Sequence, residues 1–446
     1  MSLSSIFTPT KCHLFLSAVS VVAILVACEP VNFDTEHGEL VVRDGSARTA
    51  SSVSDAVPRT KGVGEPVLEA ALVPAKSSKR RPAPKARAGV VTAADIDDTL
   101  NLDSFLRYQT RMAKQTKLPR LNLGTPIQVD FGGGSASGAG INVSLRKSGS
   151  AEPFYSGTTG VDGKLTVFPA ILGAGHVKDV ELSGYVNGHK LVKDRFTIGK
   201  TVRPVRVYQR EDYKPEFLDL VFVFDTTGSM GDELAWLTKE FSGIVQQARN
   251  VAPQANMRFG LVAYRDQGDA YVVKNFGFTG RLREMQKWLR GLDANGGGDY
   301  PEAADAALMA ATELPWRRGY GERLVFHIAD APPHKSGARR YLEAARKAAS
   351  KNVQIFGLGA SGVAEEAEFM MRQAAVATNG RYLFLTDDSG IGHAHSEPNT
   401  ACYQVTRLKG LLTRVITSEL TGIRQEAASR DVIRSVGNYR RGTCVQ

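Results

Sequence analysis

The spacing of apolar residues changes repeatedly along the chain, and each change predicts a different kind of element. Residues 14–27, LFLSAVSVVAILVA, form an unbroken apolar run too short to span a bilayer comfortably. Residues 28–92 show no apolar period and are rich in Ser, Ala, Pro, Arg and Lys, which predicts a disordered tether. Within 93–124, Ile96, Leu100, Phe105 and Met112 form a weak helical stripe, so a short helical segment is expected. From 125 to 210 the pattern alternates, as in Ile127–Phe131, Ile141–Leu145 and Lys164–Phe168, with Asp162-Gly163 and Asn187-Gly188 as turns. That spacing predicts a small all-β sandwich.

Strand and helix patterns alternate over 216–425. Leu218–Phe224 is a continuous apolar run ending at Asp225, the mark of a parallel strand buried on both faces. Leu234, Leu237, Phe241, Ile244 and Ala248 then recur at helical spacing. Further strands are expected at Arg258–Tyr264, Tyr271–Phe276, Leu324–Ala329, Val353–Leu358 and Tyr382–Leu385, with helices between them. Val405, Leu408, Leu412, Val415 and Leu420 predict a closing helix, and 426–446 is a C-terminal tail. The pattern is that of a doubly wound α/β fold, a mostly parallel Rossmann-like sheet with helices on both faces.

Charge and cysteine usage add a compartment. Of the formal net charge of +10, a local excess falls on Lys76, Lys79, Arg80, Arg81, Lys85 and Arg87, without an acid or an aromatic among them. Such a run is a solvated tether and no nucleic-acid face, so no nucleic-acid partner is expected. Lys11 precedes the apolar run, which ends Leu25-Val26-Ala27-Cys28. This resembles a bacterial lipobox and implies a signal peptide over 1–27 with Cys28 lipidated; an ordinary signal peptide beside a chance Cys is the alternative. The resemblance places the protein in the bacterial cell envelope, lipid-anchored, with the outer membrane favoured because Glu29 and not Asp follows the Cys. Cys402 and Cys444 remain as an even pair in an oxidising compartment and predict a disulfide, worth about 3–4 kcal/mol; two free thiols are the alternative.

Candidate chemistry sits where doubly wound sheets bind ligands, beyond the carboxyl ends of the strands. Leu218–Phe224 runs into Asp225-Thr226-Thr227-Gly228-Ser229, and Leu324–Ala329 runs into Asp330. Asp225, Thr227 and Ser229 offer a carboxylate and two hydroxyls on one tight loop, an all-oxygen set suited to a hard cation; with no Cys and no paired imidazole, zinc is disfavoured.

The DxTGS loop, GGGDYPE at 296–302 and IADAPPH at 328–334 resemble the von Willebrand factor A (vWA) family, in particular its GGGDxPE/DAPPH subgroup, which includes bacterial exported proteins and the hemicentin-type domain. The resemblance covers 216–425 and implies a metal-ion-dependent adhesion site holding Mg2+, or Mn2+ or Ca2+, on Asp225, Thr227, Ser229 and Asp330. Where the family usually supplies a Thr, this chain has Asp299, which either ligates the ion or caps a helix starting at Pro301. Arg265, Asp266, Tyr300, Glu302 and His334 are expected around the ligand. Over Thr158–Val167 the β region resembles a carboxypeptidase-regulatory-like sandwich.

The resemblance implies a cation-dependent binding protein for adhesion or assembly, whose protein partner completes the metal coordination with an acidic residue, and no enzyme. A third carboxylate at 299 would weaken the ion's pull on such a residue. The alternatives are a metal-dependent hydrolase, for which no general base is evident, and a structural protein whose metal only stabilises the fold.

Overall fold

A computed structural model describes residues 91–445 except 133–137, 187, 200, 207–212, 299, 361, 390–397 and 399. The signal-peptide, lipidation and basic-tether expectations, Cys28 among them, lie outside the described residues.

The chain opens with strand β1 (Thr92–Ile96) and helix α1 (Leu102–Thr116). Seven strands follow: β2 (Ile127–Asp130), β3 (Asn142–Lys147), β4 (Pro153–Thr158), β5 (Lys164–Val167), β6 (Asp179–Val186), β7 (His189–Thr197) and β8 (Arg203–Pro204). They form a three-stranded sheet, β5-β2-β8, and a four-stranded one, β4-β3-β6-β7. Ile127, Val129, Val143, Leu145, Leu165 and Leu182 belong to one apolar cluster that the two sheets share, each strand turning its alternate positions inward.

The larger part comprises β9 (Phe217–Asp225), α2 (Gly231–Val251), β10 (Asn256–Tyr264), β11 (Val273–Thr279), α3 (Leu282–Arg290), α4 (Ala304–Glu313), β12 (Gly321–Ala329), α5 (Ala338–Ser350), β13 (Gln354–Gly359), α6 (Glu365–Ala377), β14 (Tyr382–Leu385), β15 (Tyr403–Arg407) and α7 (Leu408–Thr421). After it come β16 (Arg434–Val436), β17 (Tyr439–Arg440) and β18 (Thr443–Cys444). The large sheet has the order β11-β10-β9-β12-β13-β14-β1-β15-β16. Its core, β10-β9-β12-β13-β14, is parallel, and the margins are antiparallel. All nine residues of β9 are buried. Leu218, Leu220, Phe222 and Phe224 face α2, α3 and α7, while Val221 and Val223 face the cluster of α1, α4, α5 and α6. Chain order reverses at β9, flanked by the later β10 on one side and β12 on the other, and this puts the topological switch point beside Asp225.

Three sequence expectations need correction. Residues 93–124 do not open as a helix: Thr92–Ile96 is a strand inserted between β14 and β15, pairing Ala93–Ile96 with Tyr382–Leu385. It is held by the buried Arg372–Asp98 pair and by Arg424 on Asp97. The closing helix starts at Leu408, because Val405 belongs to strand β15. The segment after 425 is no loose tail: β16 extends the large sheet, and Cys402 and Cys444 are joined by a disulfide with Cα atoms 5.4 Å apart.

Candidate functional site

Asp225 ends β9 with no solvent exposure. Its Oδ1 accepts hydrogen bonds from the Thr227 amide at 3.0 Å and the Thr227 hydroxyl at 2.7 Å, which folds the Asp225–Ser229 loop back over the strand end. Thr226 is pinned the other way, its hydroxyl donating to the Tyr264 carbonyl at 2.7 Å. Thr227 is buried and Ser229 exposed, so the loop offers one inner and one outer hydroxyl. Asp330, one residue beyond β12, is buried beside them; its carbonyl accepts from the Tyr300 hydroxyl at 2.9 Å.

Glu302, expected among the ligand-facing residues, is buried with them. The expected helix at Pro301 does not begin there: α4 starts at Ala304, and Glu302 instead bridges to Pro333 in an extended stretch. This turns Glu302 into the site. Gly297, with φ +72°, lines it as well: a Cβ there would stand 2.7 Å from Glu302 Oε1 and 2.9 Å from the Thr227 Cβ. Only glycine leaves that space open. Asp299 lies outside the described residues.

The electrostatics are one-sided. Burial pushes the Asp225 carboxyl up to about 7; the Asp330 charge adds to this, and only hydrogen bonds such as those from Thr227 oppose it. Burial, followed by Asp225, Asp266, Asp269 and Asp330, raises Glu302 to about 9. Asp225 Oδ2 and Glu302 Oε2 are buried without a hydrogen-bond partner among the described residues. Unpaired buried carboxylate oxygens are costly, and a hard cation satisfies them. Among the described residues no three His, Cys, Asp or Glu side chains gather as a metal cluster, so the donor set that fits is mixed, carboxylates together with the Thr227 and Ser229 hydroxyls.

The second expected group divides. Arg265 is buried, donating to the Thr226 carbonyl at 3.2 Å and the Asp293 carbonyl at 2.8 Å, with its guanidinium 4.6 Å from the Tyr271 ring centre. It therefore ties the two site loops together. Asp266 is buried and paired with His334 Nε2 at 2.6 Å, while Tyr300 remains half exposed at the rim. Asp269, outside the expected set, also belongs to the site. Its Oδ2 accepts from the Asp266 and Gly297 amides, both at 3.0 Å, so it positions the glycine loop. Its signal was the turn Arg265-Asp266-Gln267-Gly268-Asp269, where an Asp after Gly is placed to bond backbone. His327 is a core residue between the Tyr264 and Tyr341 hydroxyls, held neutral by burial, which lowers it to about 3.

A doubly wound sheet with an oxygen-lined loop at its switch point defines a class of binding domains. Residues 219–393 match the family model described as von Willebrand factor A domain, and a vWA domain is what this segment is. The chain is 36% identical over 125 residues to a putative ariadne-like RING finger protein of Acanthamoeba polyphaga mimivirus, covering 27% of this chain and 12% of that one. It is 25% identical over 260 residues to an alpha-protein kinase of Dictyostelium discoideum, covering 58% and 36% respectively. It is 34% identical over 95 residues to mouse hemicentin-2, covering 21% and 2%. The chain thus spans well under half the length of each of these relatives.

Proposed function

We propose that this protein is a divalent-cation-dependent binding module, carried in the bacterial cell envelope by a lipid on Cys28, that captures a protein partner through the vWA site and performs no catalysis. Mg2+, or Mn2+ or Ca2+, is held by the carboxylates of Asp225 and Asp330 and the hydroxyls of Thr227 and Ser229, with Glu302 bordering the same space. The observation that carries this reading is the pair of buried, unpartnered oxygens, Asp225 Oδ2 and Glu302 Oε2, around a space that the glycine at 297 leaves open. A bound cation supplies charge compensation for these carboxylates and an open coordination position for an acidic side chain of the partner. The two small sheets, with their carboxypeptidase-regulatory-like resemblance, act as a spacer beside it.

Thermal unfolding of the full chain with Mg2+, Mn2+, Ca2+ or chelator, alongside Asp225→Ala, tests the reading. A cation present at a hundred times its dissociation constant should stabilise the wild type by about 2.7 kcal/mol and leave the variant unmoved. An equal response in both proteins, or none in either at millimolar cation, rejects the site.

A further inference from the structure

The opposite end of the large sheet, far from Asp225, borders a second concavity. Between the vWA domain and the two small sheets runs a cleft of about 800 Å³, within the size range of ligand sites. One wall is the segment 314–320 leading into β12, with Arg323 of that strand and the end of α5; the other is the outer face of β3 and β4.

Two independent features give the cleft a chemical character. Among the described residues no Asp or Glu lines it, while Arg317, Arg318, Arg323 and Lys351 do. Of these, Arg317 is engaged by Asp219 and Lys351 donates to the Thr312 carbonyl at 2.7 Å. Arg323 spends its donors on the carbonyls of Arg317, Gly319 and Gly321, which keeps its charge in place and braces the wall. Arg318 is exposed and has no ion-pair partner among the described residues. The second feature comes from strand register. Asn142 stands opposite Thr158 on β4 and Tyr185 on β6, and Ser144 stands opposite Ser156. Because Val143 and Leu145 point into the apolar cluster, alternation puts these five polar side chains on the other face, toward the cleft. Trp316 and Tyr320 add aromatic surface.

The walls are already joined, since Asn352 Nδ2 donates to the Ser156 carbonyl at 2.6 Å. A preformed cleft loses little ordering entropy on binding. The same bond occupies the β4 edge where an extended peptide would pair its backbone.

We infer that this cleft binds an anionic carbohydrate strand, such as a uronate-containing glycan. The hydroxyl and amide array matches sugar hydroxyls, the aromatic rings cover the apolar faces of the sugars, and Arg318 with Lys351 receives the acidic groups by charge-assisted hydrogen bonds. The inference is independent of the cation site and extends the proposed function to a second ligand.

Titration calorimetry of the full chain, in chelator, with an oligogalacturonate, a neutral malto-oligosaccharide of equal length and an oligoglutamate of equal charge decides it. The oligogalacturonate should bind, and the other two should bind far more weakly. Arg318→Glu should weaken it by roughly tenfold or more. The exposed pair Asn142→Ala with Ser156→Ala should weaken it too without moving the thermal midpoint, and Asp225→Ala should leave it unchanged. Equal binding of oligoglutamate, an unchanged affinity in Arg318→Glu, or no oligogalacturonate binding at millimolar concentration overturns the inference.

Discussion

Asp219 and Asp225 lie near opposite ends of β9, and both are shut off completely from solvent. Around Asp219 the fold has gathered cations. Arg258 binds it through two nitrogens at 2.9 and 2.7 Å, and Arg317 contributes its backbone amide at 3.0 Å and Nε at 2.8 Å. Burial alone would raise this carboxyl, yet those hydrogen bonds hold it below the usual carboxylate value. Around Asp225 the neighbours are other acids, and burial drives it upward. One strand therefore carries a carboxylate completed by the protein and one that is not. The difference teaches that a binding site at a strand end is recognisable by the counter-charge the fold withholds, since each buried carboxylate needs one from somewhere.

The contrast can be broken first at the satisfied end. Asp219→Ala leaves two guanidinium groups without their shared partner and should cost about 3–5 kcal/mol in urea unfolding. In chelator Asp225→Asn should cost far less, and equal losses would erase the distinction. The second test is pH. A carboxyl whose folded pKa lies above its unfolded one holds its proton more tightly in the folded state, so its stabilisation is present at low pH and disappears as pH rises. Between about 4 and about 7 the metal-free protein should lose stability on the order of 4 kcal/mol through Asp225, with Glu302 extending the decline toward about 9. Asp225→Asn should flatten the lower part of that curve, and a flat wild-type curve would contradict the withheld counter-charge. The smallest effect is expected from Gly297→Ala, which fills the space between Glu302 and Thr227 at a left-handed backbone position. It should cost about 1–2 kcal/mol and abolish the stabilisation by cation, as read by thermal unfolding.

Much of the vWA sheet was legible because its central strands are continuous apolar runs and its helices carry one clear stripe, both local signals. The DxTGS and DAPPH motifs likewise located Asp225, Thr227, Ser229 and Asp330 at strand ends. What stayed hidden depends on distant partners. Thr92–Ile96, the stretch TAADI, has little intrinsic strand character and is a strand only because β14 and β15, far along the chain with Thr386 beside Thr92 at a separation of 294 residues, close on it from both sides. Asp219 sat unremarked within an apolar run, since its cations come from β10 and from the segment before β12. Arg265 looked like a ligand-facing cation, and only the packed structure shows its donors absorbed by the Thr226 and Asp293 carbonyls.

The insertion of β1 has a mechanical consequence. Traction arriving from the chain before residue 91 is delivered straight to an interior strand of the large sheet, with hydrogen-bonded neighbours on both sides. The clamp is continued by Asn101, which donates to the Gly442 carbonyl and accepts from the Cys444 amide, beside the disulfide that secures the chain's end to β15. A pull on the amino terminus is thus shared with the carboxyl-terminal segment before it can open the sheet. Resistance to such a pull is set by the rate of unfolding under load, and this geometry makes the first strand the last easily withdrawn.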